Sequence, residues 1–540
     1  MTQLNMAILQ TNPLCGAIEA NTRAIIEQFK RHENLGTDLV ITPELALCGY
    51  PPEDLLLRPA FHEAIEEAIS MLCKAVKGNT ALIVGYPQHD EQGLKNRLGF
   101  IQDGTVKAHY DKRCLPNYDT FDEKRYFIAG NQPTSITLKG HHLGLLICED
   151  IWCDKTVRET VALGTDSLIM INASPFAMGK QNQRKERLQL ICKNHNQTCF
   201  YANLAGGQDE LVFDGHSLIV DPQGNCHAEG AFFEEDTLSH TLGAENKCEN
   251  IENTIHDDAI LYQGLVCAVR DYINKNHFPG VLIGLSGGID SALSLAIAVD
   301  ALGPERVHAV MMPTQFTSSE SLEDAEQNAK ALGVTYNVID IEPLFQTMKN
   351  TLTPYFEGKP EDTTEENLQA RIRGTVLMSL SNKHGKIVLC TGNKSEMAVG
   401  YSTLYGDLVG GFCPLKDVFK TTVNRLSAYR NSISLVIPKR ILQKAPSAEL
   451  ANNQRDEDSL PPYPILDAIL KHTIHEKKSA AEIISLGFEE NIVKDVLQRI
   501  KRNEYKRRQT AIGVRVSERA FGRDRRYPIT TGTFTEGSIL

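Results

Sequence analysis

VLIGLSGGIDSALSLAIAVDAL, residues 281–302, decides the architecture of the second half of this 540-residue chain. The apolar run VLIGL (281–285) has strand length, and ALSLAIAVDAL is apolar with helix length. Between them stand Ser286-Gly287-Gly288-Ile289-Asp290-Ser291. Two glycines let the backbone approach a ligand closely, and small hydroxyls donate hydrogen bonds. The following helix turns its free N–H groups and positive end toward an anion. The stretch reads as a phosphate cradle. It is not the GxxxxGK[ST] loop and it lacks the GxGxxG of dinucleotide folds. The plain alternative is a glycine turn between a strand and a helix.

Working outward, strand and helix patterns alternate: VHAVM (307–311), a helix from Ser319, TYNVID (335–340), a helix near Glu365–Asn382, and KIVLC (386–390). Upstream, Asp257-Asp258 suit a helix N-terminus, with Leu261, Leu265, Val269 and Ile273 as its buried stripe. The alternation predicts a doubly wound parallel sheet with its ligands at the carboxyl ends of the strands. The polar, proline-bearing stretch 443–464 reads as a mobile loop.

The first half carries shorter apolar runs: 4–9, 38–42, 81–85, 143–148, 167–172, 200–204 and 216–220. Helix patterns fall at 20–28, 61–76 and 180–194, and RLGFIQDGTVKAHY reads as a hairpin turning at Asp103-Gly104. This predicts a layered α/β domain with some antiparallel pairing. The polar stretch 236–256 reads as a surface connection. The expected division is a first domain over 1–240, a connector over 241–256 and a second domain over 257–540.

Composition narrows the class. With 41% hydrophobic, 23% charged and 7% aromatic residues the chain is an ordinary globular protein. The net charge of −12 argues against a nucleic-acid partner. Thirteen cysteines without a CxxC pair read as reduced thiols. No signal-peptide pattern or 18-residue apolar run points to a membrane, so a cytoplasmic enzyme is expected.

SGGIDS resembles the pyrophosphate loop of the ATP pyrophosphatase superfamily, whose members adenylate a carboxylate or carbonyl oxygen. TGNKSE (391–396) and YGDLVGGFCPLKDVFKT (405–421) resemble its NAD synthetase branch. The resemblance implies a Rossmann-like domain in which Gly284, Leu285, Ser286, Gly287, Gly288, Ile289, Asp290 and Ser291, with Thr391 and Lys420, contact ATP. It implies Mg²⁺ at Asp290 and Glu396, and deamido-NAD against Asn367, Glu396 and Lys506. Both acids also suit helix N-termini, and RIKRNEYKRRQ (499–509) around Lys506 also reads as a solvated basic helix. Ammonia-only members carry a lysine and an aspartate where Leu404 and Gly411 stand here, so the nicotinate end must be held otherwise.

PELALCGYPPEDLL, YDKRCLPNYDTFDEKRYF and LLICEDIWCD resemble the three signatures of the nitrilase, or carbon–nitrogen hydrolase, superfamily. That likeness implies an α-β-β-α sandwich and a Glu44–Lys112–Cys148 triad, with Glu123 as a second glutamate near the site. A glutamate beside Lys124 and Arg125 equally suits a surface ion pair. Tyr118, Ser174 and Lys180 match glutamine-contacting positions, although Ser174 could simply cap a turn.

Together the halves resemble the glutamine-dependent NAD synthetase family. The implied substrates are L-glutamine, ATP and deamido-NAD, with ammonia passing between two sites in a homo-oligomer. Another amidotransferase with the same chemistry, or a non-catalytic protein keeping both folds, are the competing readings; no catalytic residue is missing to favour the latter.

Overall fold

Side-chain alternation along the strand Leu4–Gln10 explains the layering of the first unit. Met6 and Ile8 join a core shared with a second sheet. Leu9 turns the other way, with Val40, Leu82 and Val84, onto the helices Ile18–Asn34 and Pro59–Ala75. The computed structural model describes residues 2–244 and 256–531. The chain divides into two units, Met1–Ile255 and His256–Leu540.

The first sheet of unit one runs in the order Asp236–Leu242, Leu4–Gln10, Leu39–Ile41, Ala81–Asp90, Gly93–Gln102, Thr105–Asp111. The second runs Cys226–Glu229, Leu218–Val220, Thr198–Asn203, Ser167–Asn172, His141–Ile147, Ser135–Leu138. Each has a parallel centre flanked by antiparallel strands. Leu4, Met6 and Ile8 of the first share a core with Leu145, Ile169 and Phe200 of the second. Leu188 and Ile191 of the helix Lys180–His195 and Val157 of Asp154–Val161 extend it outward. The result is an α-β-β-α sandwich, as the nitrilase resemblance implies.

The hairpin turns at Asp103 and Gly104, both with positive φ, as its sequence predicts. The polar stretch after 236 differs from expectation. Asp236–Leu242 pairs along the whole of Leu4–Gln10, so this strand runs two residues into the expected connector. Its alternating side chains are too polar to stand out as a strand, because it closes the sheet edge. Residues 245–255 of the expected connector lie outside the described residues.

Unit two has a four-stranded, all-parallel sheet in the order Thr335–Val338, Val307–Met311, Val281–Gly284, Ile387–Leu389. The chain starts in the middle, winds one way, then returns to the other side of its first strand. The topological switch therefore lies between Val281–Gly284 and Ile387–Leu389, where such folds bind ligands. Leu282, Val310 and Val388 pack against Phe345, Leu368, Ile372 and Leu377 of the helices Glu342–Leu352 and Thr363–His384. The helix Asp257–Lys275 buries Leu261, Leu265, Val269 and Ile273, the expected stripe.

Two features depart from the sequence reading. Glu342–Leu352 is an additional helix, marked by Asp340 accepting from Glu342 N at 2.9 Å and by a proline in its first turn. The expected mobile loop is tied down: Glu449 accepts from Ser318 Oγ and Ser321 Oγ at 2.8 Å and from Lys444 Nζ at 2.7 Å, and Asp456 is buried. Tyr463–Ile474 within and beyond it is helical.

Candidate active sites

Glu44, Lys112 and Cys148 each follow a strand of unit one, after Leu39–Ile41, Thr105–Asp111 and His141–Ile147. The sandwich gathers them. Lys112 Nζ donates to Glu44 Oε1 and to Glu123 Oε1, both at 2.7 Å, and its side chain has no exposed surface. Glu44 is fixed on both oxygens, accepting from Asn96 Nδ2 at 2.7 Å and from the Ala173 N–H at 2.8 Å. Glu123 also accepts from Tyr50 Oη at 2.9 Å. Its burial removes the surface-pair reading.

The turn carrying Glu44 needs Gly85 opposite it. A Cβ there would meet Leu45 N and Pro43 O at 2.6 Å and Glu44 Cα at 2.9 Å. Cys148 sits at φ 46°, in the left-handed region, at the first residue of a short 3-10 turn, Cys148–Trp152. Asp150 holds that turn: Oδ2 accepts from Ile147 N at 3.0 Å and Tyr110 Oη at 2.8 Å, and Oδ1 from Cys114 N at 2.8 Å. Asp150 thereby ties the Cys148 turn to the strand end that carries Lys112. Sequence reading missed this residue.

Electrostatics assign the resting protonation states. Burial pushes the Cys148 thiol up, Glu44 adds to this, and Lys112 opposes it. Burial likewise lifts Glu123 to about 7 against the pull of Lys112. For Lys112 burial acts downward, but Glu123 and Glu44 together outweigh it and hold the ammonium charged. The site thus rests as a thiol beside a fixed cation.

A cavity of about 670 Å³ is lined among others by Tyr118, Arg113, Lys124 and Glu149, the chain neighbour of Cys148. Tyr118, half exposed, donates to Glu149 at 2.9 Å. Lys180, at the start of its helix, lies 4.5 Å from the centroid of the Trp152 ring and lowers the Glu149 carboxyl, which burial raises overall. Ser174 follows Ala173, its N–H bonded to Asn203 Oδ1 at 2.9 Å. Glu149, next to Cys148, is a second residue that sequence reading did not single out.

In unit two the SGGIDS loop closes on itself. Leu285 N continues the sheet to Val310 O at 2.9 Å, beyond the strand's last residue, Gly284. Ser291 Oγ donates to Gly288 O at 2.9 Å and meets Ser286 Oγ at 3.1 Å, while Gly288 N donates to Ser286 Oγ at 3.3 Å. Gly287 has φ 79°, and a Cβ on it would lie 2.4 Å from Ser321 O. Ile289 opens the helix Ile289–Leu302, which points at the loop.

Across the switch point, Thr391 and Asn393 follow Ile387–Leu389. Asn393 donates from Nδ2 to Asp290 Oδ1 at 2.9 Å and caps its own helix by accepting from Glu396 N at 3.0 Å. Lys420 Nζ bonds Asp290 Oδ2 and, at 3.2 Å, Glu396 Oε1. Burial raises Glu396 to about 8, with Lys420 opposing and Asp290 assisting. Two carboxylates crowded on one buried cation, beside a phosphate-type loop, form a donor set suited to a hard divalent cation shared with phosphate oxygens. The neighbouring Lys394 is structural: it is buried, donating to Asp417 Oδ1 at 2.6 Å, Ser517 Oγ at 2.8 Å and Arg519 O at 2.7 Å.

Asn367 and Lys506 meet on one turn. Thr403 Oγ1 donates to Asn367 Oδ1 at 2.5 Å, and Lys506 Nζ donates to Gly400 O at 2.9 Å and Ser402 O at 2.8 Å. Glu504 and Arg507 beside Lys506 are buried, so the solvated-helix reading of this run fails. At Gly411 a Cβ would lie 2.3 Å from Ile387 Cδ1, so a side chain there would have to displace that of Ile387.

Comparison with known proteins agrees with this division. The carbon–nitrogen hydrolase family model matches residues 5–246, and the NAD synthase family model matches residues 261–510. A glutamine-dependent NAD(+) synthetase of Acinetobacter baylyi is 47% identical over 98% of this chain and 99% of its own. The chain belongs to the glutamine-dependent NAD(+) synthetase family. A synthetase of Thermotoga maritima is 41% identical, again over 98% of this chain and 99% of its own. The solved structure of an Acinetobacter baumannii glutamine-dependent NAD+ synthetase, in complex with ADP, superposes with a TM-score of 0.80 at 44% identity, covering 99% of this chain and 100% of that one. Membership makes the chain an ATP-dependent ligase of two α/β domains. No helix among the described residues is long and apolar enough to cross a membrane.

Proposed function

We propose that this chain converts deamido-NAD to NAD with nitrogen taken from L-glutamine and energy taken from ATP. The observation that carries the reading is one chain holding both halves of that chemistry: a buried Lys112 between Glu44 and Glu123 beside Cys148, and a Lys420 shared by Asp290 and Glu396 beside the SGGIDS loop.

In the first half, Cys148 gives its proton to Glu44 as its sulfur attacks the glutamine carboxamide. The Lys112 ammonium balances the charge that develops on sulfur and oxygen. Collapse breaks the C–N bond, Glu44 protonates the departing nitrogen, and ammonia leaves a thioester. Water then attacks the thioester with Glu44 as base, releasing glutamate. Glu149, held by Tyr118, has the charge to take the substrate's α-ammonium, while Lys180 and Ser174 suit its α-carboxylate.

In the second half, a nicotinate carboxylate oxygen of deamido-NAD attacks the α-phosphorus of ATP, and pyrophosphate departs into the Gly284–Ser291 loop. Thr391 and Lys420 hold the nucleotide. Ammonia adds to the adenylate carbonyl and AMP leaves, giving NAD. Asp290 and Glu396 would hold Mg²⁺, which supplies charge neutralisation between phosphates and the incoming carboxylate. Asn367 and Lys506 suit the nicotinate end of deamido-NAD, where Leu404 and Gly411 offer no charge. Ammonia is a nucleophile only when neutral, which favours its transfer within a homo-oligomeric, cytoplasmic enzyme without release to water.

The test is to supply glutamine, ATP, Mg²⁺ and deamido-NAD and follow all four products. Glutamate, AMP, pyrophosphate and NAD in equal amounts support the reading. Absence of NAD with another acid amidated instead would overturn it.

A further inference from the structure

The Lys420 ammonium is not placed by its ion pairs alone. It also lies over the ring of Tyr463, 5.3 Å from the centroid. A cation over an aromatic face is attracted by the negative face of the ring, more strongly when both are desolvated. Tyr463 is the first residue of the helix Tyr463–Ile474 and is reached through Pro461 and Pro462, which restrict the backbone that aims it.

The ring is itself fixed at its far end. Tyr463 Oη donates to Asp456 Oδ2 at 2.8 Å, and Tyr463 and Asp456 are 7% and 4% exposed. The Asp456 backbone is held by Asp456 N to Pro446 O at 3.1 Å and Leu460 N to Asp456 O at 2.9 Å. Packing alone would accept a phenylalanine at 463, since that ring belongs to an apolar cluster with Leu466, Ile469 and Leu470. A buried carboxylate that meets only hydroxyls, those of Tyr463 and Tyr401, carries a desolvation cost that apolar packing does not explain. Among the described residues no cation pairs with Asp456 within 4 Å, yet its charge acts on Lys420. The contacts therefore form one line, from Asp456 through the Tyr463 ring to the Lys420 ammonium and on to Asp290 and Glu396.

We propose that Tyr463 and Asp456 are positioning residues for Lys420, fixing where its ammonium stands between Asp290 and Glu396 and so setting the affinity for the triphosphate. The stretch 443–464 is thereby part of the nucleotide site's framework. The inference rests on the reading of Lys420 as a phosphate ligand.

The experiment measures KM for ATP and kcat with ammonium as nitrogen donor and deamido-NAD saturating. It compares the parent, Tyr463→Leu, Tyr463→Phe, Asp456→Asn and Lys420→Ala, with thermal midpoints taken alongside. Tyr463→Leu removes the aromatic face and should raise KM for ATP about tenfold. Tyr463→Phe keeps the face and loses only its anchor, so its KM should lie between the parent and leucine values, about threefold above the parent. Asp456→Asn should resemble Tyr463→Phe, and kcat should change less than KM in all three.

Equal KM values for the leucine and phenylalanine variants, or a leucine variant within twofold of the parent, would overturn the inference. Should Tyr463→Leu fail to fold, a parental KM in both Tyr463→Phe and Asp456→Asn would overturn it, and a raised KM in both would support it. A parent that makes no NAD from ammonium, or a Lys420→Ala variant with parental KM for ATP, refutes the reading of the site itself instead.

Discussion

Cys148 occupies a backbone conformation that costs a non-glycine residue about 1–3 kcal/mol, and the surroundings repay it through Asp150. Burial keeps its thiol protonated, so attack by this sulfur would need a base. The proposed base is Glu44, both of whose oxygens are held by fixed donors. Glu44→Gln should cut glutamine-driven NAD formation by about 10²–10⁴-fold, a general base's usual contribution, and leave ammonium-driven synthesis near the parent rate. Parallel loss of both rates would contradict the assignment.

Glu123 gives a pH signature. Its carboxyl stands at about 7 in the fold, whereas an unfolded glutamate ionises near 4.3. Between those values the unfolded chain has released a proton that the folded chain retains. Folding stability therefore falls as pH rises through this window and levels off above it. Glu123→Gln removes the titration. Its thermal midpoint relative to the parent should rise from pH 5 to 7 and hold constant to pH 8; a pH-independent difference would refute the burial argument. At this scale the sequence made Glu44, Lys112 and Cys148 legible through their neighbouring words. Asp150 and Glu149 were not, because their roles depend on Tyr110, Cys114 and Tyr118 arriving from a distant strand and loop.

At the scale of elements, strands deliver the chemistry and glycines admit it. Gly85 lets its strand approach the Glu44 turn, and Gly287 lets the phosphate loop pass Ser321 at positive φ. Gly85→Ala should destabilise unit one by about 1–3 kcal/mol, the range for overpacking a close contact. It should lower glutamine hydrolysis while sparing synthesis from ammonium. Gly287→Ala should suppress NAD formation from both nitrogen sources. Steady-state rates with each source separate the two outcomes.

The elements were legible in proportion to their apolar signal. Val281–Gly284, Val307–Met311 and Ser167–Asn172 carry continuous apolar runs and fall close to their expected bounds. Asp236–Leu242 hid because an edge strand exposes half its side chains. The stretch 443–464 hid because its order comes in part from hydrogen bonds of Glu449 to the distant Ser318 and Ser321, which composition does not reveal.

At the scale of the whole chain, length accommodates two chemistries, each built on its own sheet system, and the −12 net charge coexists with local cations at Lys112, Lys420 and Lys506. Asp290→Ala should block NAD formation from glutamine and ammonium alike, since both routes converge on the adenylate. Undiminished synthesis from ammonium would remove the phosphate site from unit two. Parent enzyme should release glutamate and NAD at equal rates if the nitrogen passes directly, and glutamate in excess would mean the first half runs uncoupled.

The division of labour between the two units is tested most directly by Cys148→Ala assayed with ATP, Mg²⁺ and deamido-NAD under either nitrogen source. NAD should form from ammonium at close to the parent rate and not at all from glutamine. NAD formed from glutamine by this variant, or lost from both sources in a folded protein, would contradict the account.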